Sequence, residues 1–174
     1  MKRILTSTIL MAVLALTACT NPGRFGAGGD GAGANAPLGV AGGIIPGSAN
    51  DPSSTAYFQQ AVGDRVLFPV DQATLTPEGR ATLDGQAGWL TNNTDYTAVI
   101  EGHADEQGTR EYNLALGARR ANAAQEYLIS KGVPSNRLRV VSYGKERPIE
   151  ICSNEACYAK NRRAVTVLAG GLSS

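Results

Sequence analysis

Apolar and polar positions along the chain predict four strands that alternate with helices. Short runs rich in β-branched and apolar residues are typical of strands, and they occur at 65–68, 97–101, 137–143 and 162–168. Longer segments with helical spacing of apolar residues follow the first two of these runs. Strands and helices that alternate in this way favour an α/β fold built as a two-layer sandwich.

Two long helices are predicted by their start signals and apolar stripes. Thr76 and Pro77 make a good helix start, with threonine as the N-cap and proline at the first helical position. The second helix is expected over about 109–130 and ends near Gly132. The expected buried faces are Leu83, Ala87 and Leu90 in the first helix and Leu114, Ala118, Ala121, Gln125 and Leu128 in the second.

Residues 1–18 have the pattern of an export signal. A basic start at Lys2 and Arg3 precedes an apolar core at 9–16, which is too short for a permanent membrane-spanning helix. Ala18, a small residue, stands before Cys19. One interpretation is a lipoprotein signal, and the other is an ordinary secretory signal that leaves Cys19 just inside the mature chain.

Composition separates a tether from one folded domain in this chain of 174 residues. Residues 19–55 are rich in glycine, alanine, proline and asparagine with little apolar periodicity, as in a flexible linker. The remainder, 56–174, is long enough for one domain of ordinary size. The formal net charge of +1 argues against nucleic acid as a partner.

Chemistry is concentrated between Glu101 and Ala121. A turn after the second strand carries Asp105, and the next helix carries Asn113 and Arg120, which lie seven apart and so share one helix face. A carboxylate and a guanidinium in one site suit a zwitterionic ligand, because each charge of the ligand finds an opposite partner. Taken alone, these residues are more typical of a turn carboxylate and a structural salt bridge.

Neither metal binding nor catalysis is predicted for this segment. His103 and Glu101 share one face of the strand, but no second histidine or cysteine stands near them to complete a zinc site. No serine has a histidine and an acid arranged to activate it as a nucleophile. We therefore expect a binding protein without a cofactor, in which His103 hydrogen-bonds within the loop that presents Asp105.

The chain from Val66 to Val167 resembles the OmpA-like peptidoglycan-binding domain. The motifs that carry the resemblance follow in order over about a hundred residues, which makes them specific where one short motif would be weak. They are Phe68 and Asp71, then GHAD at 102–105, YN at 112–113, RRA at 119–121, VSYGKERP at 141–148 and NRRAV at 161–165.

This resemblance implies a fold and a ligand. The fold is expected to be an α+β two-layer sandwich, with both long helices on one face of a mixed four-stranded sheet. The ligand is expected to be the diaminopimelate residue of peptidoglycan stem peptides, with Asp105 on its ammonium and Arg120 on its carboxylate. The other implied ligand-binding positions are Asn113, Leu116, Phe68, Asp71 and the backbone amides around Gln72, Ala73 and Thr74. For Arg163, a carboxylate of the domain is as good a partner as the ligand.

The resemblance also implies a location and partners. Acylation of Cys19 would anchor the protein in the outer membrane with its domain facing the periplasm, and Thr20 is compatible with transfer there. Besides peptidoglycan, the implied partners are TolB and the Tol-Pal complex, which act in envelope integrity and cell division. With Cys19 acylated, Cys152 and Cys157 remain and are expected to form a disulfide.

Three alternatives stay open from the sequence. An OmpA-like lipoprotein of another kind would bind the wall without engaging TolB. A peptidoglycan hydrolase would release soluble fragments from the wall, and an adaptor between membranes would bind neither wall nor TolB. The SYGK segment at 142–145 and the single-domain layout favour the TolB-binding members of the family.

Overall fold

The computed structural model describes residues 44–151 and 153–170, and within them it contains the predicted succession of strands and helices. The predicted signal at 1–18, Cys19, most of the tether and Cys152 lie outside the described residues. In chain order the elements are α1 (Thr55–Tyr57), which continues as a π-helical segment (Phe58–Gly63), β1 (Arg65–Leu67), α2 (Pro77–Asn92), β2 (Tyr96–His103), α3 (Arg110–Ser130), a 3-10 turn (Ser135–Arg137), β3 (Leu138–Gly144), α4 (Glu155–Asn161) and β4 (Arg163–Gly170).

The strands form one mixed four-stranded sheet in the order β1-β4-β2-β3. β4 pairs antiparallel with both β1 and β2, whereas β2 and β3 are parallel. β4 therefore lies inside the sheet, although it is the last strand of the described chain. This sheet confirms the predicted architecture.

The two long helices pack against the sheet through one apolar core, as expected. Leu83 and Leu90 of α2 and Ala121 and Leu128 of α3 are buried together with Ile100 of β2. Ala87 of the predicted stripe belongs to the same core.

The predicted burial of one residue on the inner face of α3 was wrong. Leu114 is 49% exposed, while Ala118 and Gln125 are half-buried. The N-terminal half of α3 instead buries Asn113, Leu116 and Arg120. Apolar periodicity missed this because the helix turns polar side chains inward here, toward the loops that carry the site.

Helix α2 begins at its predicted cap, Thr76, and α3 begins within the predicted range after a second threonine cap, Thr109. Thr76 Oγ1 accepts a hydrogen bond from Gly79 N at 3.0 Å, and Thr109 Oγ1 accepts one from Tyr112 N at 3.2 Å. The second cap matters for function because it fixes the end of α3 that carries Tyr112 and Asn113.

Strand β2 and helix α3 touch backbone to backbone at two glycines. A Cβ atom on Gly102 would lie 1.8 Å from Gly117 O, and one on Gly117 would lie 2.5 Å from Ser142 Oγ. Only glycine fits at such a close approach. The contact brings the N-terminal half of α3 directly against the end of β2.

The packed part of the chain begins on the N-terminal side of residue 56, the predicted start of the domain. Trp89 Nε1 donates to Pro52 O at 2.7 Å, and Tyr96 OH donates to Ser53 O at 3.1 Å. Ser54 is buried and caps α1 by accepting from Tyr57 N at 3.0 Å.

The connection between β3 and β4 contains α4, a helix that apolar periodicity did not predict. Asn154 caps it by accepting from Cys157 N at 3.2 Å. Cys157 is disulfide-bonded, but Cys152 is not among the described residues, so the pairing of these two cysteines stays a prediction. Across 44–151 and 153–170, no helix is long and apolar enough to cross a membrane.

Candidate functional site

A cleft of about 230 Å³ lies between the loop after β1 and the loop that leads from β2 into α3. Four of the predicted site residues line it, namely Asp71, Asp105, Asn113 and Leu116. Its other lining residues, which the sequence did not single out for this role, are Val70, Gln107, Gly108 and Tyr112.

Asp105 is 7% exposed and has partners inside the protein as well as a place in the cleft wall. Its Oδ1 accepts from Gln107 N at 3.2 Å, and its Oδ2 lies 3.1 Å from Arg162 Nη1. An ionised carboxylate has about four acceptor positions, so Asp105 keeps the capacity to accept from a ligand.

Arg162 is the principal residue that sequence reasoning missed. Besides its ion pair with Asp105, it donates from Nε to Phe68 O at 3.2 Å and from Nη2 to Glu155. It belongs to the NRR motif at 161–163, which the resemblance marked, but only Arg163 was considered as a possible partner there. Arg163 instead donates to the carbonyls of Asn161 and Arg147, at 3.2 and 3.1 Å.

Arg120 is fully buried beneath the cleft rather than in its lining. It donates to three backbone carbonyls, Gln72 O at 2.8 Å, His103 O at 2.8 Å and Pro69 O at 3.3 Å. Arginine has five N–H groups, so two have no acceptor among the described residues. Arg120 thus joins the two loops that form the cleft and keeps donors for an anion.

Electrostatics around Arg120 combine burial with two neighbouring charges. Burial lowers the pKa of Arg120 to about 10, Asp105 opposes this effect, and Arg162 adds to it. The guanidinium therefore remains charged at neutral pH. Its carbon lies 5.4 Å from the centre of the Phe68 ring, which supports it from behind.

Asp71 stands at the exposed side of the cleft in a left-handed backbone conformation, with φ +56°. Aspartate tolerates this region better than most residues because its short polar side chain can bond locally. Its Oδ1 accepts from the hydroxyl of Tyr112, across the cleft on α3. Asp71 and Asp105 therefore present two carboxylates to one space.

Asn113 and Leu116 hold the α3 side of the cleft. Asn113 is 1% exposed and donates from Nδ2 to Gln107 O at 2.6 Å. Leu116 is 4% exposed and supplies an apolar surface. Both residues line the cleft, and their role toward a ligand stays a prediction.

The remaining predicted positions are not among the residues that line the cleft. Phe68 is 3% exposed and lies behind Arg120. Gln72 N donates to Pro69 O at 3.3 Å inside a turn, so this amide is already occupied. Ala73 and Thr74 stay predictions, since their amides have no acceptor among the described residues.

His103 does not form the expected hydrogen bond through its side chain. The ring is 2% exposed, and neither nitrogen has a hydrogen-bond partner in the described part of the chain. Glu101 Oε2 lies 3.6 Å from Nε2, and the Tyr143 ring stacks at 5.6 Å. Burial, followed by the charges of Arg163 and Arg147, lowers the pKa of His103 to about 4.

No group of three or more His, Cys, Asp or Glu residues that could hold a metal ion occurs within the described residues. Two carboxylates line the cleft, and the buried guanidinium groups of Arg162 and Arg120 contact the residues around it.

Comparison of the sequence with known proteins finds similar proteins over most of this chain. A model described as the OmpA family matches residues 67–162. The peptidoglycan-associated lipoprotein of Rhizobium meliloti is 52% identical over 78% of this chain and 77% of its own length. That of Mesorhizobium japonicum is 47% identical over 92% of this chain and 89% of its own.

Solved structures agree with these relatives. The peptidoglycan-associated lipoprotein from Burkholderia pseudomallei matches with a TM-score of 0.62 and 36% identity, over 70% of this chain and 98% of that one. The C-terminal domain of Helicobacter pylori MotB matches with a TM-score of 0.59 over 63% of this chain and 86% of that one, but at 21% identity this likeness concerns the fold alone.

Proposed function

We propose that this chain, which belongs to the OmpA family, binds peptidoglycan noncovalently through the free end of diaminopimelate in its stem peptides. The names of its lipoprotein relatives support the binding of peptidoglycan. The finer claim, that diaminopimelate is the recognised group, depends on the chemistry of the cleft.

The observation that carries this proposal is that a small cleft lined by carboxylates has a buried guanidinium joining the segments around it. Asp71 and Asp105 line it, while the buried Arg120 keeps two N–H groups without an acceptor among the described residues. The free end of diaminopimelate carries an ammonium and a carboxylate on one carbon. A purely acidic cleft would repel that carboxylate, and a purely basic one would repel the ammonium.

In this proposal the ammonium lies against Asp105 and the carboxylate is bound from below by Arg120. Charge-assisted hydrogen bonds of this kind are stronger than neutral ones, and the buried setting of Arg120 reduces competition from water. Leu116 and Val70 contact the aliphatic part of the ligand. Asp71 adds a second negative charge on the exposed side.

The envelope role belongs to the same proposal. Acylation of Cys19 anchors the protein in the outer membrane, and the domain binds the wall from the periplasmic side. TolB and the Tol-Pal complex are the proposed protein partners, with TolB competing for a surface that overlaps the cleft. The sequence match to lipoprotein relatives over most of the chain supports this role.

Calorimetric binding of two stem peptides to the purified protein tests the ligand assignment without altering the protein. One peptide contains diaminopimelate, and the other contains lysine, which keeps an ammonium and lacks the second carboxylate. We expect the lysine peptide to bind roughly tenfold more weakly or worse, because it leaves buried donors unpaired. Equal affinity for both peptides would contradict the role of Arg120.

A variant with its own control tests the carboxylate side. Asp71→Asn keeps a residue that tolerates the left-handed conformation but removes one negative charge, so we expect binding about three- to tenfold weaker at low salt. Asp84→Asn removes an exposed carboxylate of α2, which pairs with Lys131 and does not line the cleft, and serves as the control. Unchanged binding by Asp71→Asn, or equal loss in both variants, would contradict the role of the cleft charge.

The TolB proposal needs a separate assay. We expect the diaminopimelate peptide to weaken TolB binding in proportion to its occupancy of the cleft. Simultaneous binding without mutual weakening would contradict an overlapping surface, while leaving the wall assignment intact.

A further inference from the structure

The loop Asp105–Gly108 supplies three lining residues of the cleft, and the fourth residue of that loop points elsewhere. Asp105, Gln107 and Gly108 line the cleft, whereas Glu106 does not. Glu106 Oε1 accepts a hydrogen bond from Asn161 Nδ2 at 2.7 Å. Its other oxygen is buried and has no partner among the described residues. Asn161 is thus the one side chain there that hydrogen-bonds this carboxylate.

Asn161, the last residue of α4, uses its entire hydrogen-bonding capacity at this point. Nδ2 donates both to Glu106 and to Glu150 O, at 2.7 and 2.8 Å. Oδ1 accepts from Ile149 N at 2.9 Å and from Glu150 N at 3.3 Å. Asn161 is 0% exposed, and a primary amide has two donors and two acceptor positions, so the side chain is saturated.

A second contact holds the same loop from the same side. Lys145 Nζ donates to Gly108 O at 2.6 Å and lies 3.5 Å from Glu106 O. Lys145 and Asn161 both belong to the connection between β3 and β4, and neither lines the cleft. The connection therefore supports the cleft loop without contacting the space that a ligand would fill.

We propose that Asn161 is a positioning residue for the ligand cleft, fixing the loop Asp105–Gly108 through the carboxylate of Glu106. The inference rests on the proposed function in one respect, because its affinity measurement uses the stem peptide as the ligand. Three of the four loop residues line the cleft, so the loop is held in place through the fourth, Glu106. The buried amide of Asn161, with all of its hydrogen bonds made, holds Glu106 in one position. A small displacement of this loop moves Asp105 and Gln107 together, because Gln107 N donates to Asp105 Oδ1.

The variant Asn161→Asp tests the proposal because it replaces the side-chain NH2 group by an oxygen with almost no change in volume. The introduced carboxylate would face Glu106 and the carbonyl of Glu150, so two favourable contacts become repulsive. At pH 7.5 we expect stem-peptide binding roughly tenfold weaker than in the parent. Acidification to pH 5 favours a proton between the two facing carboxylates, which removes one of the two repulsive contacts, and we expect part of the affinity to return.

The pH test also depends on the charged groups near Asn161. Glu106 and Asp105 belong to the cleft loop, Lys145, Glu150 and Lys160 belong to the β3–β4 connection, and Arg162 and Arg163 follow Asn161 directly. The matched control is Asn154→Asp, the same chemical change in the same connection. Aspartate caps a helix about as well as asparagine, so this control should bind like the parent at both pH values.

A second readout does not need the ligand. The backbone amide resonances of Gln107 and Gly108 should shift in Asn161→Asp at pH 7.5 and return toward the parent positions near pH 5. A variant that only lost general stability would not show this local and reversible change. Unmoved resonances, or an affinity loss that acidification does not restore, would overturn the proposal.

Glu106 allows the same link to be tested from its other end if Asn161→Asp does not fold. Glu106→Leu removes the acceptor and should weaken binding as strongly, whereas Glu106→Gln keeps an acceptor and should bind nearly like the parent. If the parent binds no stem peptide at all, the proposed function fails, but the amide resonances still decide whether Asn161 positions the loop.

Discussion

Arg162 Nη1 lies 3.1 Å from Asp105 Oδ2, and the two side chains are only 5% and 10% exposed. The pair joins the start of β4 to the loop after β2. Asp105 is also the residue proposed to bind the ammonium group of the stem peptide. Arg162 therefore balances the negative charge of Asp105 while no ligand is bound.

Removing one partner of this pair should be strongly destabilising. Arg162→Met leaves a buried carboxylate without its cation, and we expect the free energy of unfolding to fall by about 3 kcal/mol or more. In the double variant Arg162→Met with Asp105→Asn, part of that loss should return because position 105 no longer carries the charge that Arg162 balanced. Urea denaturation of the single and double variants measures both effects.

An exposed ion pair provides the comparison. Lys160→Ala removes the partner of Glu150, where the side chains are 55% and 40% exposed, and should cost less than about 1 kcal/mol. If Arg162→Met costs no more than Lys160→Ala, then the buried pair does not support the fold as described.

The contact between β2 and α3 predicts a sharp difference between two glycine substitutions. Gly102→Ala would place a methyl group 1.8 Å from Gly117 O, so the helix must move away and we expect a loss of about 3 kcal/mol or more. Gly88→Ala in α2 meets nothing within 4 Å and should raise stability by roughly 0.5–1 kcal/mol, since alanine favours a helix. Thermal or urea unfolding of both variants decides the point, and similar effects would contradict the close approach.

His103 predicts a specific pH dependence of stability. Its pKa falls from 6.5 to about 4 on folding, chiefly by burial, so the unfolded chain takes up a proton at a higher pH than the folded one. Stability from this group is complete above the unfolded pKa and is lost as the pH falls from about 6.5 toward 4.

The variant His103→Phe isolates this contribution. Between pH 7.5 and pH 4.5 the parent should lose roughly 2–3 kcal/mol more of its free energy of unfolding than the variant, because phenylalanine does not titrate. Urea titrations at both pH values supply the four free energies required. Equal losses would mean that the imidazole has the same pKa in the folded and unfolded chain.

Local signals in the sequence were sufficient for much of the fold. Thr76 and Pro77 predicted the start of α2 because capping depends on neighbours within one turn. The family resemblance also named Asp105, Asn113 and Leu116, and these three residues line one cleft. The Asn154 cap and the acidic Glu155 after it were the local signal that could have predicted α4.

Other features depend on contacts between distant parts of the chain. Arg162 and Asp105 are 57 positions apart, so no periodicity within an element could have paired them. The exposure of Leu114 and the burial of Arg120 have the same origin, because the loops around α3 decide which of its faces is covered. Neither ring nitrogen of His103 has a hydrogen-bond partner among the described residues, and this could not be predicted because buried polar groups usually find one.

The place of β4 in the sheet has a consequence for how the protein is made. In the sheet, β4 lies between β1 and β2 and pairs with both. During synthesis from the N-terminus, β1 therefore cannot join the sheet until β4, about a hundred positions later, has been made. Arg162 arrives with the same late segment, so the cleft cannot reach its final charge balance earlier. Until then β1 and β2 expose unpaired edges, which makes the incomplete chain prone to aggregation.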